Sequence, residues 1–165
     1  MKILSKVGVF VVRRCAGPGA ELLLFSLAGD LYAPLQIPGG GIASREEPYA
    51  AALRELAAKA GIEFLPLIRP LGVFETRPAA LPNTLSRRYC YLFDGAGLPD
   101  RWTHEAAGMV GEECEDSARE QNKDRLKLRV AYRWHGIDSD FRLRGDLNYF
   151  LNAEAIPELF EAELQ

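Results

Sequence analysis

A chain of 165 residues, 48% hydrophobic and 26% charged, is long enough for one domain (residues 1–165) with a substantial core and has an ordinary globular composition. The net charge is −3 and the basic residues are scattered, so composition gives no argument for nucleic acid as a bulk partner. Three well-separated cysteines, Cys15, Cys90 and Cys114, with no CxxC pair, indicate neither a zinc knuckle nor a disulfide framework and fit reduced thiols in a cytoplasm.

Lys2 and Lys6 precede a short apolar run, Val7 to Val12, that ends at Arg13 and Arg14. It is too short to span a membrane and no small-residue cleavage site follows it, so no membrane association is expected. Residues 3–13 read as a buried strand. Gly17-Pro18-Gly19 makes a turn, and Glu21 to Leu27 completes a hairpin. Gly29-Asp30 turns again, and Leu35 to Ile37 is a short apolar piece stopped by Pro38 and three glycines.

A helix is expected over Pro48 to Ala60. Proline suits a first helical position, Tyr49, Leu53, Leu56, Ala57 and Ala60 share one face, and Gly61 ends the helix. A strand pair is expected in Phe64–Ile68 and Leu71–Glu75, then a loop at Pro78, Pro82 and Asn83, then a strand over Arg87–Phe93. Within that strand Cys90 reads as a small strand residue. Residues 99–124 are polar and read as a long excursion. Leu126–Ile137 is a strand whose Lys127 and Arg129 mark a solvated face. Asp146–Leu164 reads as one or two helices broken near Pro157. Strands, helix, strands, helix is the order of an α+β or mixed-sheet layered domain.

The informative segment is Gly40 to Ile62, GGIASREEPYAAALRELAAKAGI. It resembles the Nudix box, G-x5-E-x7-R-E-U-x-E-E-x-G-U with U aliphatic. Gly40, Glu46, Arg54-Glu55-Leu56 and Gly61-Ile62 match, seven of nine specified positions over 23 residues. A register starting at Gly41 and Glu47 fails, because it puts Glu55 where arginine is required. Ala58 and Lys59 stand where the family has adjacent glutamates. The resemblance implies a Nudix-like α/β/α sandwich with a mixed β-sheet.

It also implies hydrolysis of a nucleoside diphosphate linked to another moiety. Water attacks a pyrophosphate phosphorus while Mg²⁺ or Mn²⁺, held by glutamates on the box helix, neutralises charge and activates the water. From Glu55, the i+3 and i+4 positions on one helix face are Ala58 and Lys59. One carboxylate, one methyl and one ammonium replace three carboxylates. At about 4 Å and an effective dielectric of about 20, two unit charges interact by roughly 4 kcal/mol, so Lys59 repels a divalent cation where the family attracts one. Glu55 and Lys59 can simply form a solvated helical ion pair, or Lys59 can act as a built-in cation for the phosphates.

The resemblance further pairs Arg54 with Glu46 and lets Gly39, Gly40 and Gly41 approach a phosphate or only turn the chain. Glu112 and Glu113, in an acidic stretch, are the candidates to rebuild a metal site. His104 is a candidate base, and Trp102, Phe74 and Tyr91 are candidate stacking residues more simply read as core. Catalytic candidates are thus Glu46, Arg54, Glu55, Glu112 and Glu113; ligand-binding candidates are Gly39, Gly40, Gly41 and Lys59. Glu55 is a weakened metal ligand, and the cofactor is Mg²⁺ or Mn²⁺ in a hydrolase and none in a binder. A small nucleotide-type ligand is expected and nucleic acid is not. Weak or relocated hydrolysis ranks slightly ahead of catalytically silent nucleotide or nucleotide-sugar binding, with a protein-interaction module third.

Overall fold

The computed structural model describes residues 1–14, 19–107 and 127–164. In chain order the elements are β1 (Lys2–Arg14), β2 (Ala20–Leu27), β3 (Gly39–Gly41), α1 (Pro48–Ala60), β4 (Leu67–Thr76), β5 (Thr84–Asp94), β6 (Arg101–Ala107), β7 (Lys127–Gly136), a 3-10 turn (Gly145–Asn148) and α2 (Pro157–Leu164). The sheet runs β4-β5-β1-β2-β7-β6, with β3 also paired to β1. It is mixed: β1 and β5 are parallel along eleven partners from Lys2↔Thr84 to Val12↔Asp94, and the other pairs are antiparallel.

The centre of the sheet follows from composition. β1 is buried without interruption from Lys6 to Val12, as a central strand covered on both faces must be. Alternation divides it between two cores. Val7, Val9 and Val11 join Leu23, Phe25, Phe93, Tyr132 and the apolar face of α1. Phe10 and Val12 join Leu22, Leu24, Leu92 and, from the C-terminal segment, Ile156, Leu159 and Phe160. Helix, sheet and helix therefore form the α/β/α sandwich, an α+β fold. No helix among the described residues is long and apolar enough to cross a membrane.

Three expectations change. The strand pair around residues 64–75 is one strand, β4, with register shifts on either side of Arg69-Pro70. Proline on an edge strand gives up no ladder bond, so Pro70 marks an irregularity rather than a hairpin turn. The polar excursion begins with a strand, β6, because Trp102, His104 and Ala106 alternate inward beneath polar outward neighbours. Pro157 opens α2 rather than breaking a longer helix.

The buried arc of α1 is also wider than periodicity suggested. Ala51, Ala52, Glu55, Leu56, Lys59 and Ala60 are buried, Leu53 is half-buried and Ala57 is exposed. The helix packs against β1, β3, β5 and β6, so more than one flank is covered.

Candidate functional site

The loop between β3 and α1 is built around one arginine. Arg54 Nε and Nη2 donate to the two oxygens of Glu46 at 2.8 and 2.9 Å, Nη2 also donates to the Gly41 carbonyl at 2.7 Å, and Nη1 donates to Glu55 Oε1 at 2.8 Å. The Arg54–Glu46 pair that the resemblance implies is present. Glu46 additionally accepts from the Ala43 backbone N–H at 2.9 Å. The Arg54 guanidinium first, and then that N–H, hold the Glu46 carboxyl down at about 2. The same bonds push the Arg54 guanidinium still higher.

Glu55 lies beneath β3. A Cβ added to Gly40 would stand 2.5 Å from Glu55 Oε1 and 2.8 Å from Oε2, and one added to Gly39 would strike the Val7 carbonyl oxygen. Gly39 is therefore required by close approach to the β1 backbone, while Gly40 makes room for the buried Glu55 carboxylate. Gly41 has open space where its Cβ would be. Glu55 is 3% exposed and its Oε2 has no hydrogen-bond partner among the described residues.

Lys59 is 7% exposed, one turn further along the same helix. The solvated ion-pair face is thus corrected: both residues are buried, because this flank of α1 faces the sheet and not water. The end of the helix is fixed from several sides. Gly61, in the left-handed conformation at φ 74°, and Ile62 return their N–H groups to Ala57 and Leu56 at 3.1 and 3.2 Å. The Tyr132 hydroxyl donates to the Lys59 carbonyl at 2.8 Å and Trp102 Nε1 donates to the Ala60 carbonyl at 3.0 Å. Burial, and after it the Glu55 carboxylate, push the Tyr132 phenol up.

Those contacts place the other candidates. Trp102 stacks on Tyr132 at 5.0 Å and caps α1, which commits its ring and its N–H to packing. His104 covers Gly61, its Nδ1 2.9 Å from where a Cβ would stand. Phe74 is buried against Tyr149 and Phe150, and Tyr91 leans on Tyr49 and Phe93. Cys90 is buried and free, and burial pushes its thiol up to about 12, so it remains a neutral core residue. Glu112, Glu113, Cys15 and Cys114 lie outside the described residues.

Family chemistry would put a divalent cation at Glu55. The described residues do not fit one: Glu55 shares Oε1 with Arg54, Ala58 offers no ligand, and Lys59 is a cation. Among the described residues no three His, Cys, Asp or Glu side chains converge as a metal site. Sequence reasoning also missed a polar set on the opposite sheet face, Lys6, Ser86, Arg88 and Asp146, whose first three members are buried. The available signal was a charge standing inside an alternating strand.

Comparison with known proteins now bears on the fold. The NUDIX domain family model matches residues 4–133. The NUDIX domain of Shewanella oneidensis NrtR, complexed with ADP ribose, is similar at 16% identity and a TM-score of 0.50, over 82% of this chain and 73% of that one. A Caenorhabditis elegans Ap4A hydrolase binary complex is similar at 20% identity and TM-score 0.41, over 56% and 67%. Shewanella oneidensis NrtR complexed with a 27mer DNA is similar at 19% identity and TM-score 0.40, over 53% and 40%. This chain spans less than two thirds of several of the solved chains it resembles. Curated protein sequences give no match. With a mixed sheet between helices, the box loop closed on Arg54, and a family match over most of its length, the chain belongs to the Nudix family.

Proposed function

We propose that this chain binds a nucleoside diphosphate linked to another moiety and does so without the divalent-metal hydrolysis of its family. One observation carries the reading: Lys59, at a position where the family places a ligand glutamate, is buried on the same helix flank as Glu55. A fixed ammonium there supplies positive charge to a phosphate and opposes a metal ion. Gly41, whose carbonyl accepts from Arg54 and whose Cβ position is open, leaves room for a ligand to approach the loop closely. Arg54 and Glu46 hold the loop, a role that survives loss of the metal. ADP-ribose, the ligand carried by the NrtR domain, is the first compound to test.

A second reading, weak hydrolysis assisted by Glu112 or Glu113, is favoured by Glu55 Oε2, a buried carboxylate oxygen with no hydrogen-bond partner among the described residues. Calorimetry separates the two. The binding reading expects ADP-ribose affinity to be equal in EDTA and in Mg²⁺, with no product formed. Mn²⁺ binding by the wild-type protein with a Kd of about 1 μM, together with turnover, would establish the hydrolytic reading instead. Replacing Ala58→Glu and Lys59→Glu together is expected to raise Mn²⁺ affinity by at least about tenfold, roughly 1.4 kcal/mol.

A further inference from the structure

A cavity of about 510 Å³ opens between the start of β1, β5 and the box loop, with Ile3, Ser5, Ser44, Arg45, Glu47 and Tyr89 in its lining. It lies on the α1 side of the sheet. Ile3 and Ser5 continue the alternation of Val7, Val9 and Val11, and Tyr89 packs against the core that α1 covers. Glu46 is also part of the wall. Arg54 ties that wall to the Lys59 flank: its guanidinium donates to Glu46 through Nε at 2.8 Å and to Glu55 through Nη1 at 2.8 Å, and Lys59 follows Glu55 by one helical turn.

The mixture of groups in the lining selects a chemistry. Arg45 and Glu47 are exposed and form no salt bridge among the described residues. One is a donor only and the other an acceptor only, while Ser5 and Ser44 bring hydroxyls that do both. A phosphate seated here would meet the Glu47 carboxylate, and an apolar group would take both charges out of water without compensation. A ring carrying adjacent hydroxyls, each a donor and an acceptor, answers all four polar groups. Ile3 and Tyr89 present apolar surface to the C–H face of such a ring. Arg45 is held at φ 64°, a left-handed conformation that glycine adopts without strain. Backbone preference alone would put glycine there, so the use of this residue lies in its side chain.

We propose that this cavity receives the sugar of a nucleoside diphosphate sugar, with Arg45, Glu47 and the two serine hydroxyls on its hydroxyl groups and its phosphates turned toward Lys59. The proposal names the second moiety of the ligand and rests on the reading of the chain as a binder of a nucleoside diphosphate linked to another group. The helix from Pro48 to Lys59 is about 16 Å long, and a lysine stem leans back toward the helix N-terminus, so the remaining distance is one that a diphosphate ester can bridge.

Calorimetry in EDTA tests this with two pairs of compounds, ADP against ADP-ribose and UDP against UDP-glucose. The proteins are the wild type, Ser44→Trp, which fills the cavity, and Arg45→Gly, which suits φ 64° and keeps the loop. In at least one pair the sugar-bearing member is expected to bind the wild type at least about tenfold more tightly than the plain diphosphate. Ser44→Trp is expected to erase that ratio and Arg45→Gly to reduce it severalfold. Equal binding within both pairs overturns the sugar site and leaves the functional reading standing. A ratio that survives in Ser44→Trp places the sugar elsewhere and also overturns the site. If none of the four compounds binds the wild type, the functional reading falls and the sugar site with it. Should Ser44→Trp not fold, Arg45→Gly decides: a reduced ratio supports the site and an unchanged one overturns it.

Discussion

Glu46 shows how one side chain can organise a loop. Its carboxylate takes two hydrogen bonds from Arg54 and one from the Ala43 N–H, so ionisation is favoured in the folded protein down to about pH 2. The folded value is depressed from an ordinary 4.5, so the stabilisation is complete above about pH 4.5 and disappears as the pH falls to about 2. Glu46→Gln is therefore expected to lower Tm above pH 4.5, by an amount equivalent to about 1–3 kcal/mol, since a charge-assisted bond is lost. The difference from wild type should shrink steadily below that pH and vanish near 2. Thermal melts of both proteins across pH 2–7 check this, and a constant difference would show that Glu46 acts by shape and not by charge. Arg54, Glu46 and the glycine register were legible in the sequence because each belongs to one contiguous box, where local spacing decides geometry. The burial of Lys59 was not, because helical periodicity gives the direction of a side chain and not what stands opposite it.

At the scale of elements, α1 is held by both of its ends. Its first turn is set by Pro48 and by the Ala51 N–H returning to the Glu47 carbonyl at 2.9 Å. Its last turn is closed by Gly61 and by two side chains from the far strands, Tyr132 and Trp102. Gly61→Ala would force a Cβ into a left-handed conformation and to within 2.9 Å of His104 Nδ1. A cost of about 1–2 kcal/mol is expected from the backbone alone, read as a lower urea midpoint with an unchanged m-value. Gly61 could be placed at the helix end from sequence, since an apolar periodic run followed by glycine is a local signal. The strand β6 could not. Its outward residues are polar and its inward histidine owes its fit to the absent side chain of Gly61, a long-range match with no local signature.

Across the molecule, two cores share one sheet. The second depends on the C-terminal segment: Ile156 is fully buried, and Leu159 and Phe160 are nearly so, against strands more than a hundred residues earlier in the chain. Arg69 clamps the same segment by donating to both oxygens of Glu158 and to the Ala155 carbonyl, each at 2.8 Å. Ile156→Ala is expected to cost about 2–5 kcal/mol by loss of buried methyl groups and the cavity left behind. Equilibrium denaturation measures it, and a cost under about 0.5 kcal/mol would mean that this segment does not hold the second core.

By itself the sequence determined the box loop and its helix, the paired Arg54 and Glu46, the buried central strand and the mixed layered architecture implied by the family resemblance. These rest on contiguous spacing and on strand and helix periods, which act over a few residues. Only the tertiary structure decided that Glu55 and Lys59 leave water together, that Trp102 and Tyr132 are spent on capping a helix, and that Lys6, Ser86, Arg88 and Asp146 meet on the face away from α1. Each of those outcomes joins residues far apart in the chain. Their chemistry depends on which strands become neighbours, and that is fixed by the packing of both cores together and not by any segment alone.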